Sequence, residues 1–153
     1  MNPDAMALDA HLLVRVLFAG LLSGLLGWER QTVGKPAGFR TLLMVGMAAC
    51  LFVVAGQAAV MSYPATPATV RVEPFALIQA IAVGIGFLGA GVVFVSKEGN
   101  RVMGVTTAAT IWATAAIGLT VGFGRYLLAA GTTMLLLITL RVLTRFDRSH
   151  PSE

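Results

Sequence analysis

The sequence predicts an all-α fold, a polytopic membrane protein built as a bundle of about five transmembrane helices. The composition is 57% hydrophobic and only 12% charged, and the chain contains 17 glycines. The mean hydropathy is +0.83. A soluble domain carries roughly 25% charged residues, and membrane helices use small residues where they touch. A soluble helical bundle is the alternative, but the polar residues cluster in the connections and would leave its surface uncovered.

Five apolar runs are separated by polar connections, and each run is expected to form one helix. They are residues 12–28, 42–61, 74–95, 102–121 and 126–143. A helix needs about 20 residues to cross the hydrocarbon core, a length that the second and third runs meet, whereas the first and fifth are short. The predicted divisions are a short external lead over residues 1–11, a transmembrane domain over 12–143 and a cytoplasmic tail over 144–153.

Positive charge is concentrated on one side of a five-helix topology. That side carries Arg30, Lys35, Arg40, Lys97, Arg101, Arg141, Arg145 and Arg148, and the other side carries Arg15, Arg71 and Arg125. Because Lys and Arg mark the cytoplasmic side, we expect the N-terminus outside and the C-terminus in the cytoplasm. The net charge of +4 is therefore a topology signal. Nucleic-acid binding is not expected, since no compact basic patch with aromatic residues occurs.

The stretch GIGFLGAG, residues 84–91, matches the G-x-G-x-x-G fingerprint of dinucleotide-binding folds. That fingerprint requires a strand before it and a loop for the phosphates, whereas this stretch lies inside one apolar run. Helix packing is the preferred interpretation, and small residues on two faces predict that the third helix is central in the bundle. The residues assigned to helix packing are Gly20, Gly24, Gly27, Gly84, Gly86, Gly89, Gly91 and Trp112.

Polar residues at or near membrane depth form the candidate functional cluster. They are Glu29, Arg30, Arg40, Thr41, Gln79, Thr106 and Thr107. The link between the first two helices is short, so Glu29 and Arg40 are expected to meet at the cytoplasmic interface. Their pairing has a structural interpretation, in which it locks two helix ends, and a functional one. Gln79 has no local partner, and its amide is expected to bond inside the bundle.

Other chemistry is sparse. The threonines of the fourth helix either bond to carbonyls of their own helix or line a polar cavity, and both interpretations stay open. Cys50 is the only cysteine, and His11 and His150 lie at opposite ends of the chain. No arrangement of a nucleophile with a base, or of paired carboxylates, is found. We therefore expect no enzyme activity, no metal site and no cofactor.

Three blocks, GWERQTVGKPAGFRT, GIGFLGAGVVF and GVTTAATIWATAAIG, resemble the signatures of the MgtC/SapB family of bacterial inner-membrane proteins. The resemblance covers roughly residues 12–143. It implies a five-helix inner-membrane domain connected with magnesium limitation, acid stress and virulence, and membrane partners such as the ATP synthase for some members. The family's signature positions map onto Glu29, Arg30, Gly34, Gly38, Arg40, Thr41, Gln79, Gly86, Gly89, Gly91, Thr106, Thr107 and Trp112.

The sequence departs from the family pattern in two places. Longer members carry a soluble cytoplasmic domain after the last helix, whereas this sequence ends soon after its fifth run, so we expect any role of that domain to be missing. Members often show Asp-Pro and then Arg before the glutamine of the third helix. Here that stretch is VEPFALIQ, with Glu73 and no arginine before Gln79.

Three functions stay open. The first is a non-enzymatic regulator that acts through helix contacts with membrane partners. The second is a small ion or solute transporter or channel, expected to be a homodimer because symmetric pairs are the commonest oligomers. The third is a structural membrane subunit. Direct Mg²⁺ transport is not expected, because Mg²⁺ sites use carboxylates and the predicted spans contain no central Asp or Glu.

Overall fold

Helices account for most of the chain in the computed structural model, which describes residues 3–62, 74–95 and 102–149. The elements are α1 (Pro3–Thr32), α2 (Phe39–Ser62), α3 (Pro74–Val92), β1 (Phe94–Val95), β2 (Val102–Met103), α4 (Val105–Gly122) and α5 (Tyr126–Ser149). The two short strands pair antiparallel, with Phe94 opposite Met103. The predicted all-α class with five helices is confirmed.

Four of the described helices are long and apolar enough to cross a bilayer. Their candidate spans are Met6–Thr32, Phe39–Val60, Phe75–Val92 and Val105–Gly122. The apolar part of α5, Tyr126–Val142, is shorter, as its run predicted. Large apolar side chains cover the outside of the bundle, which is the surface that lipid requires.

The first and last helices extend further than the sequence predicted. α1 begins at Pro3 instead of residue 12, so the predicted external lead is helical over most of its length. Proline fits the first turn of a helix, and no glycine or second proline follows until Gly20. α5 continues to Ser149, into the region predicted as a cytoplasmic tail.

Helices α1 and α2 pack along a line of glycines on α1. A Cβ placed on Gly27 would lie 2.7 Å from the Cα of Phe39, the first residue of α2. A Cβ on Gly24 would lie 3.0 Å from the ring of Phe39, and one on Gly20 would lie 2.8 Å from the Cγ of Met47. The predicted packing glycines of α1 therefore lie at the α1–α2 contact, and at Gly27 a side chain would meet the backbone of α2.

Helix α4 completes a three-helix core through a second set of small residues. Ser23 of α1 lies directly against Gly46 of α2, and the carbonyl oxygen of Gly46 lies directly against Gly118 of α4. One turn further along α4, a Cβ on Gly122 would lie 2.7 Å from the Cβ of Val53. The backbones of α1, α2 and α4 thus approach each other closely, around a buried apolar core.

The prediction that the third helix is central is wrong. α3 packs on α4, where a Cβ on Gly89 would lie 3.6 Å from that of Ala108, and it makes few contacts with α2. It is the least buried of the four candidate spans. A Cβ on Gly84, Gly86 or Gly91 would meet no atom of the described residues within 4 Å, so these glycines make no close helix contact in that part of the protomer.

Trp112 of α4 also differs from its predicted packing role. Its side chain is 53% exposed and borders the open space between α3 and α4. Trp112 was assigned to helix packing, but small residues make the closest contacts of α4. The exposed ring is left facing the surroundings of the protomer.

The connection between α3 and α4 contains a short β-hairpin that the sequence did not predict. α3 ends at Val92, three residues before the predicted end, because residues 93–95 combine β-branched and aromatic side chains that favour strands. The return strand leads to Gly104, which has a φ of +87°. A Cβ at Gly104 would run into the carbonyl oxygen of Val92, so only glycine closes this junction.

Candidate functional site

The structure divides the seven candidate polar residues into a buried group and an exposed group. The buried members are Glu29, Arg30 and Thr107. The exposed members are Arg40, Thr41, Gln79 and Thr106. The single polar cluster expected from the sequence is therefore not formed within the protomer.

Glu29 and Arg30 form a buried ion pair at the end of α1. Their side chains are only 5% and 2% exposed, and the Nη1 of Arg30 lies 3.8 Å from the Oε2 of Glu29. This separation is too long for a hydrogen bond. Within the described part of the chain, the Oε2 of Glu29 and the Nε and Nη2 of Arg30 are buried without a hydrogen-bond partner. A charge pair removed from water is costly unless further bonds satisfy it, so this pair is a candidate functional feature.

Backbone bonds hold the end of α1 in place around this pair. The amide of Lys35 donates a hydrogen bond to the carbonyl of Arg30 at 3.0 Å. The hydroxyl of Thr32 donates to the carbonyl of Glu29 at 2.7 Å. The chain then reverses at Gly34, whose φ of +69° suits glycine. The short link expected from the sequence therefore begins with a tight turn directly after the two buried charges.

The predicted pairing of Glu29 with Arg40 does not form. Glu29 lies beside Arg30, and Arg40 is exposed at the start of α2. Phe39 faces α1 through the Gly27 contact, and the next residue on a helix is rotated by about 100°, which turns Arg40 away. Gln31, which sequence reasoning missed, joins the two helix ends instead by accepting a 3.2 Å hydrogen bond from the amide of Phe39.

Gln79 does not bond inside the bundle as expected. It is exposed on α3, and its amide has no hydrogen-bond partner among the described residues. Gly86 and Ala90 share its exposed side, because seven and eleven residues are close to whole numbers of helical turns. Gly86 and Ala90 also border the open groove between α3 and α4. A polar amide and small residues thus lie together on an exposed side of α3 next to that groove.

Three of the five threonines of α4 donate hydrogen bonds to carbonyls of their own helix. Thr110 donates to the carbonyl of Thr106, Thr114 to that of Thr110 and Thr120 to that of Ala116, each at 2.7 Å. Of the two interpretations left open by the sequence, these distances support the intrahelical one. Bonds of this kind satisfy a hydroxyl within an apolar bundle.

The large groove between α2 and α3 is apolar. It has a volume of about 500 Å³, and its walls include Met44, Phe52, Leu77, Ile81 and Leu88. Among the described residues, no group of three or more His, Cys, Asp or Glu side chains could hold a metal ion. The groove suits an apolar occupant such as an acyl chain, and it offers no ligands to an ion.

Sequence reasoning missed several glycines that carry the closest backbone contacts. Gly46, Gly118 and Gly122 were not assigned to packing, although their surroundings are tighter than those of the third helix. The spacing of four between Gly118 and Gly122 was the available signal, since it is the separation at which small residues allow helices to approach.

These features define the class of the protein. Its helices are apolar on the outside, four of those described can span a bilayer, and glycines bring three of them together at short range. This is a multi-pass α-helical membrane protein. The family model described as the MgtC family matches residues 16–149, and the chain belongs to this family.

Curated relatives agree with this assignment. The chain is 36% identical over 138 residues to "Putative magnesium transporter YhiD" of Escherichia coli, covering 88% of this chain and 61% of that protein. It is 39% identical over 142 residues to SrpB of Synechococcus elongatus, covering 88% and 75% respectively. It is 40% identical over 128 residues to MgtC of Brucella abortus, covering 84% and 49%. No solved structure matches the chain.

The chain corresponds to only part of the length of these relatives. The chain spans 61% of YhiD and 49% of the Brucella MgtC. The resemblance identified from the three sequence blocks is confirmed at the level of the family. The matched region contains the buried ion pair and the outward face of α3.

Proposed function

We propose that this chain is a non-enzymatic protein of the bacterial inner membrane that binds other membrane helices and thereby regulates ion homeostasis under low-magnesium or acid stress. The observation that carries the proposal is the outward face of α3. Gln79, Gly86 and Ala90 lie there on one exposed side, and a Cβ on Gly86 would meet nothing within 4 Å. The proposed role in ion homeostasis is supported by the family and by the magnesium-related name of one relative.

The physics of lipid explains why this face suits a helix partner. Hydrocarbon offers no hydrogen bonds, so an amide at membrane depth is stabilised by a polar group on a neighbouring helix. Interhelical bonds of this kind contribute about 0.6–2 kcal/mol. Glycine lets the two backbones approach closely, and the resulting van der Waals packing stabilises contacts between membrane helices. Gln79 and Gly86 supply both contributions on the same face.

A second copy of the chain is the partner that this face fits best. An amide carries both donors and an acceptor, so two copies of Gln79 can bond reciprocally across a two-fold axis. Symmetric dimers are also the commonest oligomers. Another membrane protein, such as the ATP synthase indicated by the family resemblance, would use the same face.

Disulfide cross-linking in native membranes tests this proposal. In a Cys50→Ala background, Ala90→Cys should form a cross-linked dimer. The matched control is Leu127→Cys, which is 88% exposed on α5 and should not cross-link. Adding Gln79→Leu should weaken the Ala90→Cys dimer about threefold to thirtyfold, the range of one interhelical bond. Equal cross-linking at both positions, or none at Ala90→Cys, would contradict the homodimer.

A small transporter is the second candidate, and the buried pair of Glu29 and Arg30 supports it. Ionisable residues within membrane spans often mark ion pathways, and this pair retains unpartnered polar atoms. Flux of Mg²⁺ and other ions into liposomes containing the purified protein separates the two functions. Flux that Glu29→Gln abolishes and Arg40→Gln preserves would favour transport. Absence of flux for every ion favours the regulator.

The proposed topology places the N-terminus outside and the C-terminus in the cytoplasm. Arg30, Lys35 and Arg40 lie at the end of α1 and the start of α2, which puts this turn on the basic side of the chain. Lys and Arg near span ends favour the cytoplasm. The turn that follows Glu29 and Arg30 would then face the cell interior.

A further inference from the structure

A second polar site lies at the other end of the bundle. There, a cavity of about 350 Å³ is lined by His11, Val14, Arg15 and Phe18 of α1 and by Tyr126, the first residue of α5. Arg15 and Arg30 are separated by about 22 Å along α1, given a rise of 1.5 Å per residue. We propose that this cavity binds a phosphate group. The site is independent of the helix-binding face on α3.

The spacing of the α1 residues that line the cavity places them on one face of the helix. His11, Arg15 and Phe18 are separated by four and three residues, which places them on one face of a helix. The ring of Phe18 meets that of Tyr126 edge to face, with centroids 5.9 Å apart and an interplanar angle of 78°. This aromatic contact holds α1 against the start of α5, and His11 and Arg15 line the same cavity as Tyr126.

The polar groups of the cavity indicate the chemistry of its ligand. In the described part of the chain, the Nε of Arg15 is buried without a hydrogen-bond partner and no acidic residue pairs with Arg15. A guanidinium, an imidazole and a phenol together offer several N–H and O–H donors. Phosphate matches such a set because it carries acceptor oxygens that Arg binds in a bidentate manner.

The position of the cavity fits the polar boundary of the membrane. Tyr126 follows the tight turn that joins α4 to α5, at the level where the apolar span of α4 ends. Tyr and Arg are typical of this boundary. Two sources present phosphate there, the headgroup of a phospholipid and inorganic phosphate from solution.

Binding by purified full-length protein in a phosphate-free maltoside detergent tests the proposal. The probes are inorganic phosphate, followed by the unfolding temperature, and phosphatidylglycerol, followed by native mass spectrometry. Diacylglycerol with the same acyl chains controls for apolar binding. We expect saturable binding of at least one phosphate-bearing probe. Binding of phosphatidylglycerol alone identifies a lipid headgroup, whereas binding of inorganic phosphate identifies a soluble source.

Substitutions locate the binding in the cavity. Arg15→Gln should weaken binding about tenfold or more, because it removes charge-assisted bonds. His11→Ala should weaken it about threefold, and its position on the exposed start of α1 keeps the fold intact if Arg15→Gln fails to fold. Arg125→Gln makes the same charge change next to Tyr126 but outside the cavity lining, and it should alter binding less than twofold.

Several results would overturn the proposal. One is binding of neither phosphate-bearing probe, and another is diacylglycerol binding as tightly as phosphatidylglycerol. A third is Arg15→Gln or His11→Ala binding no more weakly than Arg125→Gln. The last comparison separates a phosphate site from general attraction to positive charge at this end of the protein.

Discussion

At the scale of single residues, the same amino acid has opposite roles at two positions. Gly46 and Gly86 each lie well inside an apolar helix, yet a Cβ on Gly46 would overlap the hydroxyl of Ser23 and one on Gly86 would meet nothing within 4 Å. The backbone carbonyl of Ala19 lies 3.2 Å from the Cβ position at Gly46, so the strain could not be relieved by rotating Ser23 alone. Gly46 is a packing glycine, whereas Gly86 is available to a partner.

The first prediction compares Gly46→Ala with Gly86→Ala. Gly46→Ala should destabilise the protomer by about 1–3 kcal/mol, the usual cost of overpacking, because α1 and α2 must separate. Gly86→Ala should leave the stability unchanged or raise it by up to about 1 kcal/mol, because alanine favours helix. Thermal unfolding in detergent measures both. If Gly46→Ala unfolds at the same temperature as Gly86→Ala, the close contact of Ser23 with Gly46 is not part of the folded protein.

At the scale of elements, the junction of α3 with α4 depends on one glycine. Gly104 adopts a φ of +87°, and a Cβ there would strike the carbonyl of Val92 at the end of α3. Gly124, in the turn between α4 and α5, has a similar φ of +76° but open space around its Cβ position. Alanine at Gly124 would therefore carry only the energetic cost of the backbone conformation, whereas alanine at Gly104 would carry that cost and the cost of the contact with Val92.

The second prediction uses this difference. Gly124→Ala should cost about 1–2 kcal/mol, the energy of a left-handed conformation for a residue with a Cβ. Gly104→Ala should cost more, about 3 kcal/mol, because the contact with Val92 is added to the same backbone term. Chemical or thermal unfolding of the two variants provides the comparison. Equal losses would show that the end of α3 does not pack on Gly104.

At the scale of the whole molecule, the tight core and the proposed partner-binding face occupy different helices. The tight unit is α1, α2 and α4, joined by Gly27, Gly46 and Gly118. α3 adds to the side of this unit through α4 and presents large exposed side chains such as Phe87, which is 82% exposed. A surface can change partners without loss of the fold when the core does not depend on it, and α3 meets that condition.

The third prediction concerns the orientation of this unit in the membrane. In a Cys50→Ala background, Lys35→Cys lies in the exposed turn after α1, and Asp9→Cys lies on the exposed start of the same helix. In intact cells, a membrane-impermeant thiol reagent that passes the outer membrane should label Asp9→Cys only. Permeabilising the inner membrane should add labelling of Lys35→Cys. The reverse pattern would contradict the proposed topology, which follows from the distribution of Lys and Arg.

The site was less predictable than the fold, for reasons that particular residues make clear. The glycines of α1 were assigned to packing, and they do lie against α2. The same rule misplaced Gly84, Gly86 and Gly91, because spacing reveals which residues share a face and not which face a neighbour covers. Glu29 was predicted to pair with Arg40 because the link between their helices is short. In the structure Glu29 pairs with Arg30, because Arg40 is turned away from α1.

The sequence by itself determined the class of membrane protein, the number of helices and the family. Each depends on local apolar runs and on short blocks of residues, which the chain carries regardless of how its helices meet. Only the tertiary structure decided that α3 is peripheral, that Glu29 and Arg30 are buried together and that Arg15 lines a cavity beside Tyr126. Those features depend on the rotation and distance of one helix relative to another. The sequence does not reveal them, because the side of a membrane helix that faces lipid and the side that faces another helix are both apolar.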